Sequence, residues 1–540
     1  MAAVTDPDTA RADASFDAAG EAVVPDAAQG WREYAAVFAG PPLVMAVTLA
    51  AVLAPSILVP YAFADDYSYL WMAVSGEANP QFGGSVFEAH AVNGRPLTGL
   101  LMQLTFGAAS SIEQLRLVRI AGVLGVIAFG LLTQWALTRA RIRPWPAALI
   151  ALLMCTMPAF QVYGSWTVLF AAPHAAVLGG VASLVLTRTV GEEGSDRVSA
   201  MAIGALLLLG GLLIYQPAAM CFWVFLAIAV VGARDDPRRA WTLAWQHGAV
   251  AAAALLMAYL ELRLTIAYYG DAVVEASQER AQISTDVVGR LRWFIEQPLM
   301  ESLNLFHLGP WPWPWLAALV VAGAACGVML WVFMRTSRPW LYLAIAVALL
   351  PVSHLTNIVV EEEQHPYRTQ AALSSLTALY LGLSVIGAWS VAGDSLRRAL
   401  NWGEWRLART AVWGASIAVV ALSCLFAASN VSNLMAAPQM TELRMYRAQV
   451  RAIPADAERV SFVQTSWYQG ITRRFYNDEY GVPTTARPFA LVGSFKLLLR
   501  EQGKLGPDRR GPTVEYFPSE VGALPAGQPA IDLRGMSHLR

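Results

Sequence analysis

The chain has 540 residues, of which 56% are hydrophobic and 14% charged, against about 25% charged in an ordinary soluble domain. So much apolar surface needs lipid around it. A net charge of -1 lacks the clustered excess of base that phosphate backbones require, which sets nucleic acid aside as a partner.

Residues 1 to 34 are rich in Ala, Asp and Glu and have no basic n-region, which predicts a disordered cytoplasmic tail rather than a signal peptide. The first apolar run, Val37 to Pro60, is too long for a signal-peptide core and reads as an uncleaved span. A hydrocarbon core of roughly 30 Å takes about 20 apolar helical residues. On that measure about eleven spans are expected, near 37–60, 116–138, 145–161, 166–187, 199–215, 217–233, 242–268, 312–334, 339–357, 369–392 and 410–428. The apolar stretch 96–109 reads as a short re-entrant helix or a further span. The bilayer itself is thus the first partner. Cys155, Cys221, Cys326 and Cys424 all fall in apolar stretches without a CxxC or Cys/His metal spacing, as small buried hydrophobes do.

Arginines sort the loops. Arg139, Arg141 and Arg143, then Arg188 and Arg197, then Arg234, Arg238 and Arg239, then Arg335 and Arg338, then Arg397, Arg398, Arg406 and Arg409 occupy alternate connections, which the positive-inside rule makes cytoplasmic. The base-poor connections 61–95, 269–311 and 358–368 then face outward. A multi-pass protein of the inner (plasma) membrane follows, with a cytoplasmic N-terminus and an external or periplasmic C-terminus. The membrane domain is expected over 35–429 and a soluble external domain over 430–540. That last region has mixed charge, both lysines (Lys496 and Lys504), strand-like segments at Arg459–Gln464, Thr513–Phe517 and Ala530–Leu533, and a helical segment at Phe489–Gln502, which predicts a small α/β domain. Trp311, Trp313 and Trp315 read as an interfacial anchor.

The chemistry-bearing residues gather in the outward loops. Ala64-Asp65-Asp66-Tyr67-Ser68-Tyr69-Leu70 follows the first span and puts two carboxylates at the membrane surface beside Phe63, Tyr67 and Trp71. Desolvation there raises a carboxylate's proton affinity and makes it a better base. Glu88, His90 and the run Asn93-Gly94-Arg95-Pro96-Leu97 follow in the same loop, with Arg95 suited to a phosphate at headgroup depth. Arg116 and Arg119 begin the second span from that side. Tyr215-Gln216-Pro217 marks a turn between two spans and offers hydroxyl and amide groups suited to sugar hydroxyls. The acidic run Glu361 to Arg368 adds a second arginine at headgroup depth. Glu261 and Arg263, two apart on one helix, do not share a face and read as structural ion pairing.

ADDYSYL, NGRPL, IYQP and PYR, in that order, resemble the GT-C glycosyltransferases. The nearest resemblance is to serotype-converting O-antigen glucosyltransferases of the Gtr type II kind, and it covers roughly residues 37 to 392. It implies an α-helical polytopic GT-C-like fold and inverting transfer of a sugar from a polyprenyl-phosphate donor to a cell-envelope glycan or lipid acceptor on the external face. On that reading Asp65 and Asp66 are catalytic, Asp65 as general base. Arg95, Arg368 and Arg116 hold the donor phosphate, while Tyr67, Glu88, His90, Tyr215 and Gln216 contact substrate. The resemblance singles out no cofactor; a divalent metal is compatible with two carboxylates, though no full ligand set is visible. Two other readings stay open: a transporter or lipid-linked-glycan flippase that couples these charges to movement, and a glycan ligase or polymerase with a diphosphate-linked donor. In the latter the loop 269–311, with Arg280, Arg290 and Arg292, would hold the key groups.

Overall fold

A computed structural model describes residues 30–78, 84–189, 194–269, 282–304, 307, 323–328, 336–363, 365–465, 479–506, 511–518, 522, 524–525 and 527–534. Residues 1–29 of the expected tail, the Trp311–Trp315 cluster, Arg280 and most of the span at 312–334 lie outside the described residues, while the tail's last five residues, 30–34, are helical. The chain divides into two units, Met1–Val44 and Met45–Arg540. Of the first, the described part is the opening of a helix that runs Gly30–Leu58. Every residue of the site described below belongs to the second.

Among the described residues seven helices are long and apolar enough to cross a bilayer, so this is a polytopic helical membrane protein. They are Gly40–Leu58, Ile112–Arg139, Thr167–Arg188, Ser195–Ala219, Pro237–Tyr269, Ala371–Ala399 and the longer Trp402–Ala452. Eleven spans are not established, and the reasons are local. The run at 145–161 is two helices, Pro144–Cys155 and Pro158–Ser165, bent by 66°. Pro158 has no N–H to continue the first helix, and the Gln161 amide covers the Thr156 carbonyl exposed by the break at 2.7 Å. The runs at 217–233 and 339–357 form helices of only 11 and 15 residues, Phe222–Gly232 and Pro339–Ser353. Pro96–Ala108, 13 residues, is likewise too short to span alone.

Four of the five arginine-rich connections meet at one end of the bundle. Arg139 and Arg188 both stack on Trp135, Arg234 donates to the Ala140 carbonyl, and Tyr342 donates to the carbonyls of Ala233 and Arg234. The loops carrying the acidic and polar motifs meet at the other end.

The C-terminal region covers that second end. The helix from Trp402 continues past Asn430 through a π-turn, Val431–Ala436, into Ala437–Ala452. A parallel sheet of order β2-β1-β3 follows, from Arg459–Val463 (β1), Thr513–Phe517 (β2) and Ala530–Asp532 (β3). The burial of Val460, Ser461, Phe462 and Val463 in β1 is what a central parallel strand covered on both faces shows.

Helix Pro488–Glu501 joins this region to the helix Asp65–Ser75 that opens on the acidic pair. Their backbones touch where Gly493 stands: a Cβ there would lie 2.9 Å from Ser68 Cα and 3.1 Å from the Tyr67 carbonyl oxygen. Ser68 Oγ donates to the Phe489 carbonyl at 3.1 Å, and Lys496 pairs with Glu77 at 2.6 Å. Gly493→Ala is therefore expected to force the two helices apart and destabilise the protein by about 1–3 kcal/mol, read as a lower midpoint of thermal unfolding in detergent. An unchanged midpoint contradicts this packing.

Candidate functional site

The turn that carries the acidic pair is built around Arg119. Its guanidinium is 1% exposed and donates to the carbonyls of Ser56 (2.6 Å), Tyr61 (2.9 Å) and Val59 (3.4 Å) and to Thr167 Oγ1 (3.0 Å). It also lies 4.0 Å from the centre of the Tyr61 ring. The chain leaving the first span is thus wound round one cation. Asp66 is fully buried beside it, with Oδ2 accepting from Phe63 N and Oδ1 from Val168 N, each at 3.0 Å.

Asp65 goes the other way. It is half-buried and lines a cavity of about 1090 Å³. Adjacent acids thus part company because successive residues of a helix start point about 100° apart, one into the fold and one into the cavity.

The residue before them is strained. Ala64 has φ 47 and ψ -110, and Asp66 N donates to the Phe63 carbonyl at 3.0 Å. Phe63 to Asp66 is therefore a turn of type II′, with alanine in a position that glycine ordinarily takes.

NGRPL and IYQP, 121 positions apart, are locked together. Gln216 Oε1 accepts from Arg95 Nε at 3.0 Å while Gln216 Nε2 donates to the Gly94 carbonyl at 2.6 Å. Thr98 Oγ1 donates to the Ile214 carbonyl at 2.6 Å. That carbonyl is exposed because Tyr215 leaves helical geometry (φ -154, ψ 104) two residues ahead of Pro217. Gly94 adopts φ +68, and a Cβ on it would come 3.2 Å from Gln216 Nε2, so glycine answers both demands. The Arg95 guanidinium sits 4.6 Å from the centre of the Tyr215 ring.

Two further arginines complete the rim, each on an aromatic ring. Arg368 stands 5.2 Å from the Trp166 centroid, and Arg487 5.0 Å from that of Phe63; these two rings meet edge-on at 4.8 Å. Glu479, fully buried, holds Arg368 from behind: Oε1 accepts from its backbone N (2.9 Å) and Nη1 (3.3 Å), and Oε2 from Tyr367 N (2.8 Å). The polar end of the cavity thus presents Asp65, Arg95, Gln216, Arg368 and Arg487, and its flank is apolar, with Leu212, Leu255 and Leu262 from two membrane helices.

His90 also lines the cavity, stacked on Tyr69 at 4.9 Å. Burial, helped by Arg95, pushes its pKa down to about 3. It is a neutral wall group, available for hydrogen bonding but not as a counter-charge. Of the residues singled out in the sequence, Asp65, His90, Arg95, Tyr215, Gln216 and Arg368 come together here. Asp66 and Tyr67 are buried behind the wall. Arg116 is exposed on its helix, away from the cavity lining. Glu88 closes a capping box with Ser85, accepting from Ser85 N at 2.7 Å.

In the loop 269–311, Arg290 donates to the carbonyls of Asn357, Ile358, Glu361 and Glu362, and Arg292 pairs with Glu296. Arg290 is thus consumed in shaping the wall that Asn357 and Glu362 line, and Arg292 in an exposed pair within its own helix. Glu479, Thr484 and Arg487 had no spacing or motif to reveal them in the sequence; the one signal was a charged residue, Arg487, immediately before a helix-starting Pro488. Among the described residues no three His, Cys, Asp or Glu side chains converge as a metal site, and both Asp66 oxygens already accept backbone N–H groups.

No family model matches the chain, and no curated protein matches it. Among solved structures it is similar to the archaeal oligosaccharyltransferase AglB from Archaeoglobus fulgidus in complex with an inhibitory peptide and a dolichol-phosphate, at 11% identity and a TM-score of 0.44, covering 80% of this chain and 62% of that one. A second, the Archaeoglobus fulgidus oligosaccharyltransferase in complex with Zn and sulfate, aligns at 12% identity and a TM-score of 0.41, covering 79% and 60%. The chain spans about six tenths of the length of these proteins. A likeness this low assigns no activity. Fold and site together define a polytopic helical membrane protein with an arginine-rimmed cavity at the end opposite its basic loops.

Burial pushes the Asp66 carboxyl up to about 7, against Arg119 and the N–H groups of Phe63 and Val168, which hold it down. An acid raised from 3.8 in the unfolded chain adds stability that is complete below that value and is lost as pH rises to about 7, with a slope of up to about 1.4 kcal/mol per unit. Denaturation of the parent and of Asp66→Asn between pH 4 and 8 should show the parent losing stability relative to the variant as pH rises toward 7; parallel profiles contradict it.

Proposed function

We propose that the chain is a membrane glycosyltransferase of the GT-C kind that takes a sugar from a polyprenyl-phosphate donor. The observation that carries this is the two-natured cavity: a carboxylate facing three arginines at one end, apolar helix faces at the other. An amphiphilic phosphodiester needs both. Its isoprenoid tail would lie along Leu255 and Leu262, and its phosphate among Arg95 and Arg368, which ring stacking and the Gln216 and Glu479 contacts hold ready.

In the step proposed, Asp65 accepts the proton of an acceptor hydroxyl as that oxygen attacks the anomeric carbon. The bond from this carbon to the phosphate oxygen breaks, and the polyprenyl phosphate leaves with the electron pair, its new charge met by the arginines. Displacement at one face inverts the anomeric configuration. Asp66 acts by fixing the turn that presents Asp65, not by touching substrate. His90, Tyr215 and Gln216 offer uncharged groups to sugar hydroxyls. The acceptor is a cell-envelope glycan or lipid, and the cavity end is external, because the basic loops at the other end follow the positive-inside rule.

Transfer in proteoliposomes supplied with polyprenyl-phosphate sugar tests this. Asp65→Asn is expected to slow the reaction by on the order of 10²–10⁴-fold, and Arg95→Ala to raise the donor KM, with an inverted anomer in the product of the parent. Undiminished transfer by Asp65→Asn removes the assignment.

A further inference from the structure

The strained turn before Asp65 is held from the far end of the chain. Ala64 N donates to Thr484 Oγ1 at 3.0 Å, a contact across 420 positions. Thr484 is 2% exposed and is itself locked. Its hydroxyl donates to Gln439 Oε1 at 2.8 Å, its backbone N to Glu442 Oε2 at 2.9 Å, and Thr485 N to Glu442 Oε1 at 2.7 Å. Gln439 Nε2 returns to the Val482 carbonyl at 2.8 Å, so hydroxyl, amide and carboxylate form one closed, buried network. Among the described residues its hydrogen bond toward the membrane domain is the one to Ala64.

That bond lands on a residue which would otherwise leave its conformation. An alanine at φ 47, ψ -110 relaxes readily to negative φ unless something outside the turn holds its amide. Rotation about Ala64 swings the start of the helix Asp65–Ser75, and Asp65 is its first residue.

We propose that Thr484 is a positioning residue: through Ala64 N it maintains the type II′ turn that directs the Asp65 carboxylate into the cavity. The C-terminal domain is thereby a working part of the site. In that role Thr484 serves the glycosyl transfer proposed above, where Asp65 is the base. Its effect is on the orientation of a carboxylate and not on donor affinity.

The test uses the full chain in nanodiscs, with four variants: Thr484→Val, Thr484→Ser, Ala64→Gly, and Thr484→Val with Ala64→Gly. Amide hydrogen exchange over residues 61–70 reads the turn directly, and transfer kinetics read the base. Thr484→Val should exchange faster at residues 64–67 and lose about tenfold in kcat with the donor KM within about twofold. Thr484→Ser keeps the hydroxyl and should match the parent in both. Glycine favours the turn unaided, so Ala64→Gly should restore most of the kcat lost by Thr484→Val, which a general loss of packing would not allow. Parental exchange in Thr484→Val, or a lost kcat that glycine does not recover, overturns the proposal. Should the parent itself transfer no sugar, the glycosyltransferase reading falls, and the exchange data still decide whether Thr484 holds the turn.

Discussion

The acidic turn at the cavity end depends on a buried guanidinium. A charge taken out of water is tolerated only when its hydrogen bonds are met, and Arg119 meets them with three carbonyls from the segment Ser56–Tyr61 and the hydroxyl of Thr167. Satisfying that one cation forces the chain to curl immediately after the first span. The curl places Asp66 next to the cation, lets its carboxylate bind Phe63 N and Val168 N, and leaves Asp65 as the acid that lines the cavity. The acidic pair is thus one structural carboxylate and one that lines the cavity, a division set by Arg119.

The second constraint is the union of Gly94-Arg95 with Tyr215-Gln216. A flexible arginine loses rotamer freedom when it binds phosphate; here the glutamine amide and the tyrosine ring have already restricted it. Arg368 is treated alike by Trp166 and Glu479. Both arginines are thus held on two sides, and in the function proposed such fixed charges are the kind that stabilise a departing anion best.

Much of this was legible in the sequence. Lipid-facing helices are apolar throughout, so most spans stand where hydropathy puts them, and parallel strands such as Arg459–Val463 and Thr513–Phe517 announce themselves by β-branched and aromatic runs. Arg95, Tyr215, Gln216, His90 and Arg368 were recognisable because short polar motifs stand out against apolar flanks. What was not legible is directional or distant. Nothing in Asp-Asp says which carboxylate points inward, since that depends on Arg119 53 positions on. The bend at Pro158 and the short helix Phe222–Gly232 lower the number of recognisable spans, because hydropathy measures composition and not axis direction. Arg487 lines the cavity, and Glu479 and Thr484 brace its wall through Tyr367, Arg368 and Ala64, by tertiary contacts across more than a hundred residues; no local pattern encodes that.

The most direct measurement is a structure of the chain in a lipid nanodisc with a polyprenyl-phosphate bound. Phosphate density is expected between Arg95 and Arg368, within reach of the space in front of Asp65, with the isoprenoid chain running along Leu255 and Leu262. A phosphate seated elsewhere, with this cavity left to lipid tails or solvent, contradicts the reading of the site.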